Sequence, residues 1–306
     1  MSQGSSPAVR LTLAIATCGR ADALTRCLGA VRAQTRAPDE IIVVDQDPSE
    51  GVRLAIRKSE LPVRYFEQAR LGLSASRNLA LAEATGDVLA VTDDDCLPDA
   101  DWAAAVTRAM EEVPSLTGVT GPILPPPGTP PSNMFATSSR PSRESRVFSH
   151  RTIPWAVGSG ANFAAKIADL KRIGGWDERL GVGTPGKAAE DCEIIDRLLA
   201  AGGVIRYDGD AVMRHEWQTK DKRHATRWSY GYGIGALCGV RLAERDPYAF
   251  RMLASYSRMK LREIRSELRN RSWSGVRERL TTLCALIPGC LYGLRARPPS
   301  RPRGET

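Results

Sequence analysis

The first 120 residues alternate short β-branched apolar runs with stretches of helical period, and that alternation builds a parallel sheet covered by helices on both faces. LTLAIA (11–16), EIIVVD (40–45), VRYFE (63–67), DVLAVT (87–92) and SLTGVTG (115–121) read as strands. Between them, 21–34, 49–59, 73–84 and 100–112 read as helices. The strands are nearly unbroken apolar runs, as burial on both faces requires. The predicted class is therefore α/β with a mostly parallel sheet.

Residues 122–154 change character: PILPPPGTPP leads into a Ser/Arg-rich stretch, which predicts a loop excursion. Order resumes at Trp155. A strand-like WAVGSG (155–160) precedes a helix over 165–173, the turn GGWDERLGVGTPGK, a helix over 190–201 and strands over 204–207 and 211–215. From Asp221 onward every segment reads as helical or Arg-rich, so a boundary is placed between 1–215 and a helical basic extension, 216–306.

Composition narrows the function classes. With 306 residues, 42% hydrophobic and 25% charged, the chain has the balance of a soluble globular protein rather than a disordered, collagen-like or membrane-spanning one. The net charge of +8 is unevenly spread: residues 1–213 hold 23 basic and 27 acidic side chains, residues 214–306 hold 20 and 8. Seven scattered cysteines without a C-x-x-C pair argue against zinc or redox chemistry and for the reduced cytoplasm. MSQGSSPAVR lacks the apolar core of a secretory signal. The apolar stretch 280–294 is broken by Pro288, Gly289 and Gly293 and falls short of the ~20 residues of a spanning helix.

Ligands of open α/β sheets bind beyond the carboxyl ends of the strands. Thr17 follows the first strand, Asp45 ends the second, and Asp93-Asp94-Asp95 end the fourth. Three successive carboxylates repel one another unless a cation or solvent relieves them, and hard oxygen ligands suit Mg²⁺ or Mn²⁺. A solvated acidic turn capping the next helix through Asp99 explains the same residues. Arg77, on the helix GLSASRN, is informative beside such a site, because a cation, an arginine and helix N-terminal amides are what a diphosphate requires. Glu190-Asp191 open a helix after the loop GVGTPGK. The macrodipole alone favours acids there, yet a flexible loop closing over substrate could also deliver Asp191 as a general base. His215, ending a strand, is a candidate third metal ligand or a structural histidine.

These blocks, in this order, resemble an inverting family 2 glycosyltransferase of the GT-A fold over about residues 10–215. LAIATCGRADALTRCL resembles the opening strand and helix, and IIVVDQDPSE the nucleotide-binding element, with Gln46 where Asn is commoner. GLSASRNLALAEATGDVLAVTDDDCLPDADW resembles the segment running from the G-L-s-x-x-R-N helix to the D-x-D motif. GANFAAKIADLKRIGGWDERLGVGTPGKAAEDCEIIDRLLAAGG resembles the acceptor-side block ending in E-D. The resemblance implies a nucleotide-sugar half over about 10–120 and an acceptor half over 121–215. It implies that Thr17 and Asp45 face the base and ribose, that Arg77 holds base or diphosphate, and that Asp93 and Asp94 lie at the donor. Asp95, with Asp93 and His215, would hold a divalent metal, Mg²⁺ or Mn²⁺. Asp191 would be the base with Glu190 beside it, and Gly160, Asn162 and Trp176 would lie on the acceptor side. The implied partners are a nucleotide-sugar donor and a glycan, lipid-linked or small-molecule hydroxyl acceptor.

The C-terminal third carries a separate expectation. Residues 251–279 hold nine basic and three acidic side chains, and basic residues near an anionic leaflet contribute about 1 kcal/mol each before screening. With Trp273 and the apolar 280–294, they fit a peripheral anchor on the inner face of the cell membrane; a soluble helical cap fits equally. A basic nucleic-acid-binding module on an inactive α/β scaffold is an alternative, with Trp217, Trp228, Tyr230 and Tyr232 as stacking residues. No nucleic-acid motif supports it, and WSYGYGIGALCG reads instead as close helix packing or an acceptor-site wall. A nucleotidyltransferase is the other alternative, disfavoured because no Gly-rich basic loop follows the first strand.

Overall fold

The computed structural model describes residues 8–137 and 139–297; residues 1–7, which carry most of the N-terminal reading, lie outside the described residues. At its centre β1 (Leu11–Thr17), β2 (Glu40–Asp45), β3 (Val63–Glu67) and β4 (Val88–Asp93) run parallel in the order β3-β2-β1-β4. They are joined by α1 (Ala21–Arg32), α2 (Glu50–Ser59) and α3 (Leu73–Glu83). Side chains along β1 part to opposite faces, the period-two consequence of the pleat. Leu11, Leu13 and Ile15 pack with Leu24, Leu28 and Val31 of α1. Ala14 joins Ile42, Val44, Leu89 and Val91 beneath Ala80 and Leu81 of α3.

Beyond β4 come β5 (Cys96–Pro98), α4 (Trp102–Glu112), β6 (Gly118–Thr120), β7 (Ile123–Leu124), β8 (Met134–Phe135) and β9 (Arg146–Phe148). Then follow α5 (Pro154–Val157), β10 (Phe163–Lys166), α6 (Ile167–Arg172), α7 (Glu190–Ala200), β11 (Ile205–Tyr207), β12 (Met213–His215) and β13 (Gln218–Thr219). The full sheet has eight strands in the order β3-β2-β1-β4-β10-β6-β11-β9, with β10 antiparallel between β4 and β6. A second sheet, β5-β12-β7, and the pair β13-β8 lie beside it.

Three expectations are corrected. The segment 155–160 is not a strand: Pro154 starts a one-turn helix, where its missing N–H costs nothing. The predicted helix over 165–173 begins as strand β10, whose place is set by pairing on both sides rather than by the helix propensity of its alanines. The 122–154 excursion supplies an edge strand, β9, paired antiparallel to β11.

The C-terminal helices are α8 (Lys220–Ala243), α9 (Tyr248–Arg269), α10 (Trp273–Cys284) and α11 (Leu286–Arg295). Glycines bring α8 and α11 into backbone contact. A Cβ on Gly235 would lie 2.2 Å from the Leu286 carbonyl oxygen, and one on Gly289 2.0 Å from that of Tyr232. Gly235→Val is therefore expected to destabilise the fold by about 3 kcal/mol in urea denaturation. Gly29→Ala on α1, where nothing lies within 4 Å, should be neutral or gain up to about 1 kcal/mol. Equal stabilities for the two variants would refute the close crossing.

The same helices are locked to α7 by buried charge. Asp196 accepts from Arg151 (2.8 and 2.7 Å) and from Arg241 of α8 (3.1 Å), and Glu193 accepts from Arg241 (3.1 Å) and Arg197.

Candidate active site

Strand ends place the acidic residues, but not all of them face outward. Asp45 is fully enclosed: its carboxylate accepts the Asp47 N–H (3.1 Å) and the Tyr65 hydroxyl (3.0 Å). Gln46 reaches across to accept the Gly72 N–H at 2.7 Å, bracing the turn into α3. Thr17 donates to Asp94 at 2.6 Å, and Arg20 also binds that carboxylate. Burial pushes Asp94 up to about 6, with Arg20 opposing. Thr17, Asp45 and Asp94 thus brace strand ends in this arrangement and do not line the cavity described below.

Arg20 bridges from Asp94 to Asp95. The Asp95 carboxylate meets Arg20 (2.8 Å), Lys222 (3.4 Å) and His215 Nε2 (3.7 Å). Burial would raise this carboxyl, but Arg20 and Lys222, together with His215 whenever its ring is protonated, hold it below the usual carboxylate range. Asp99, expected to cap α4, instead grips Arg214 (2.6 and 3.0 Å), which fixes β12 and hence His215. His215 Nδ1 lies 3.1 Å from the Glu216 carbonyl oxygen, which can only accept; in the neutral ring the proton therefore sits on Nδ1. The Nε2 lone pair then faces a carboxylate oxygen, an arrangement of two acceptors that fits a cation between them. Asp95, Cys96 and His215 bring ligand atoms within 4.8 Å of one another. Burial keeps the Cys96 thiol far above its ordinary pKa and so protonated, which leaves a carboxylate and an imidazole as the fitting donors.

A second constellation forms around Gly160. The buried Arg77 guanidinium donates to Glu190 (3.1 Å), Asp93 (3.3 Å) and the Gly160 carbonyl (3.3 Å). The Gly160 N–H donates to Asp191 at 2.9 Å, and the Cys192 N–H to its other oxygen at 2.7 Å. A Cβ on Gly160 would lie 2.9 Å from both Arg77 and Asp191, so only glycine lets the two approach. Asp93 therefore joins Arg77 and Glu190, and the group of ligand atoms around Asp95 and His215 does not include it. The glycine loop before α7 is already tied down: Leu73 N–H donates to Val182 (2.9 Å) and the Ser74 hydroxyl to Leu180 (2.7 Å). Asp191 needs no loop closure to reach its position.

Burial pushes Glu190 up to about 7, with Arg77 opposing and Asp191 reinforcing the rise. An acid whose folded pKa exceeds its unfolded value of about 4.3 binds more protons in the folded state, so stability falls as pH rises from there to about 7. The melting temperature is expected to decline over that window, and E190Q to flatten the decline. Parallel pH profiles for the two proteins would contradict a buried, proton-binding Glu190.

Arg77, Asp93, Gly160, Glu190, Asp191 and His215 all line one cavity of about 410 Å³. The placements of Asn162 and Trp176 differ from expectation. Asn162 is a core residue whose amide bonds Pro122 (3.0 Å) and Ala211 (2.7 Å) and whose oxygen accepts from Trp102. Trp176 is buried edge-on against Phe163, with centroids 6.4 Å apart. The aromatic wall comes instead from Trp155, Tyr230 and Tyr256, with Lys260 beside them. Trp155 and Tyr256 meet edge to face at 5.4 Å. Of these, only Tyr230 lay in a segment read as an acceptor-site wall; the glycine face of that helix does the close packing.

Residues 12–165 match the family described as Glycosyl transferase family 2. The chain belongs to this family. It is a glycosyltransferase with a GT-A-type fold. It is similar to the succinoglycan biosynthesis protein ExoM of Rhizobium meliloti (strain 1021), 29% identical over 233 residues, 72% of this chain and 70% of the relative. It is 24% identical over 250 residues to the pre-mycofactocin glycosyltransferase of Mycobacterium tuberculosis; that is 78% of this chain but only 49% of the longer relative. Among solved structures, the mannosyltransferase PcManGT from Pyrobaculum calidifontis, in complex with GDP-Man and Mn²⁺, superimposes with a TM-score of 0.62 at 17% identity. That match covers 95% of this chain and 88% of the other.

Proposed function

We propose that this family 2 enzyme transfers a sugar from a nucleoside-diphosphate sugar to an acceptor hydroxyl, inverting the anomeric carbon. The observation that carries the reading is that one cavity gathers Arg77 and Asp93 from the nucleotide half with Glu190 and Asp191 from α7. In this reading residues 10–120 seat the donor, 121–215 face the acceptor, and the helices of 216–306 complete the wall.

Asp95 and His215 are the residues fit to hold a divalent cation, Mg²⁺ or Mn²⁺, which when bound supplies positive charge to the departing diphosphate. Arg77 offers a preorganised guanidinium, its position held by Asp93, Glu190 and Gly160. Thr17, Asp45 and Asp94 hold the strand ends that shape the base and ribose side of the donor site. Each Asp191 oxygen accepts one backbone N–H and keeps a lone pair for the acceptor. As the acceptor oxygen bonds to the anomeric carbon, its proton passes to Asp191. The bond from that carbon to the diphosphate oxygen breaks, and its electron pair leaves with the nucleoside diphosphate. One displacement inverts the centre.

The acceptor is a hydroxyl of a glycan, a lipid-linked sugar or a small molecule, a range consistent with a cavity that sets an aromatic wall of Trp155, Tyr230 and Tyr256 beside charged groups. We assign the reaction to the cytoplasm, which the seven unpaired cysteines favour. The test is a panel of nucleotide sugars with Mg²⁺ or Mn²⁺. One donor is expected to raise the melting temperature and to release nucleoside diphosphate, with an inverted product in the anomeric NMR signal. Pyrophosphate release from a nucleoside triphosphate would instead identify a nucleotidyltransferase, and a retained anomer would remove Asp191 as the base.

A further inference from the structure

We propose that the outer face of the C-terminal helices is a docking surface for an anionic lipid bilayer. The carboxylates of this region are consumed internally: Glu263 pairs with Lys260 and Arg279, Glu267 with Arg279, and Glu278 with Arg227. The arginines left over are turned out. Among the described residues, Arg258, Arg262, Arg265, Arg269, Arg271 and Arg277 are exposed and enter no ion pair.

The apolar side chains on the same helices are segregated as well. Trp273, Leu280, Ile287 and Leu294 recur every seven residues along α10 and α11, and Leu291 follows Ile287 at four. The residue between the two helices, Ala285, keeps helical backbone angles (φ −68°, ψ −16°), so these positions share one face. Trp273 is 74% exposed and Ile287 69%. The opposite face, Gly289 and Gly293, is buried against α8. On α9, which packs against α10, Leu261 and Leu268 are exposed as well. No helix among the described residues is long and apolar enough to cross a membrane, so the geometry is that of a surface lying in the interface, with leucines and Trp273 at the acyl boundary and arginines at the headgroups.

Charge decides among occupants. A second copy placed on this face would oppose six unpaired arginines with six more, a like-charge juxtaposition that disfavours association. Nucleic acid would satisfy the arginines and leave the apolar stripe wet. An anionic bilayer satisfies both.

The proposal stands apart from the transfer reading, because its test needs neither donor nor acceptor. The full chain is floated with phosphatidylcholine vesicles with and without phosphatidylglycerol. It is expected to float only with the anionic vesicles and to be released as salt rises. R262Q/R265Q should lower the partition coefficient about 25-fold, each arginine counting roughly fivefold. W273S/I287S should abolish partition while keeping the wild-type melting temperature, since all four side chains are exposed. Equal binding to neutral vesicles, no binding to either, or unchanged partition of both variants would overturn the proposal. So would a dimer that W273S/I287S dissociates, or retention of RNA, in a chain that does not float.

Discussion

Asp191→Asn is expected to retain donor binding and to lose transfer by ~10²–10⁴-fold, the usual worth of a positioned general base. The substitution is nearly isosteric, and the local geometry shows what it perturbs. Asp191 accepts two backbone N–H groups, from Gly160 and Cys192, and asparagine can accept only one of them through its oxygen. A loss of about 1 kcal/mol of stability should accompany the change, too little to unfold the chain or disturb the donor half. Calorimetric titration of the nucleoside diphosphate with Mn²⁺ should therefore match the wild type while turnover collapses. Near-normal turnover would move the base elsewhere.

Asp95→Ala is expected to act on the other half of the reaction. Metal-dependent binding of nucleoside diphosphate should weaken at least ~100-fold, since a fitting donor is removed outright and not merely a supporting partner. Binding without metal should hold or strengthen slightly, because Arg20 and Lys222 lose the carboxylate that now occupies them. That opposite response separates the variant from simple misfolding, in which both affinities would fall. Equal losses with and without Mn²⁺ would remove Asp95 from the metal site.

The parallel half was legible because its strands are buried on both faces: β1 to β4 read as apolar runs, and their ends were located to within a residue or two. β10 was not legible. Four residues, FAAK, carry no period of their own, and their conformation is decided by β4 and β6, about 75 and 45 residues upstream. The carboxylates and Arg77 were legible from their places at strand ends and helix starts, and the family motifs, which are local in sequence, implied their roles. Trp155 comes from α5 and Tyr256 and Lys260 from α9, about a hundred residues apart, so although Tyr256 and Lys260 sit one helical turn apart, no local pattern ties them to Trp155 or to the cavity. Asn162 and Trp176 show the converse: polar and aromatic residues near a motif, whose neighbours prove to be the core.

The buried ion pairs between α7 and α8 bear on how such a chain can be cut or recombined. Severing it after β12 would strip Arg241 from Glu193 and Asp196, leaving carboxylates enclosed with fewer cations, a loss of several kcal/mol. It would also open the cavity where Tyr230, Ile234 and Tyr256 now stand. The catalytic half is therefore not a portable module. Exchanging C-terminal helices between relatives would import a foreign wall and a mismatched charge lock together, so the two ends of the sequence must diverge in concert.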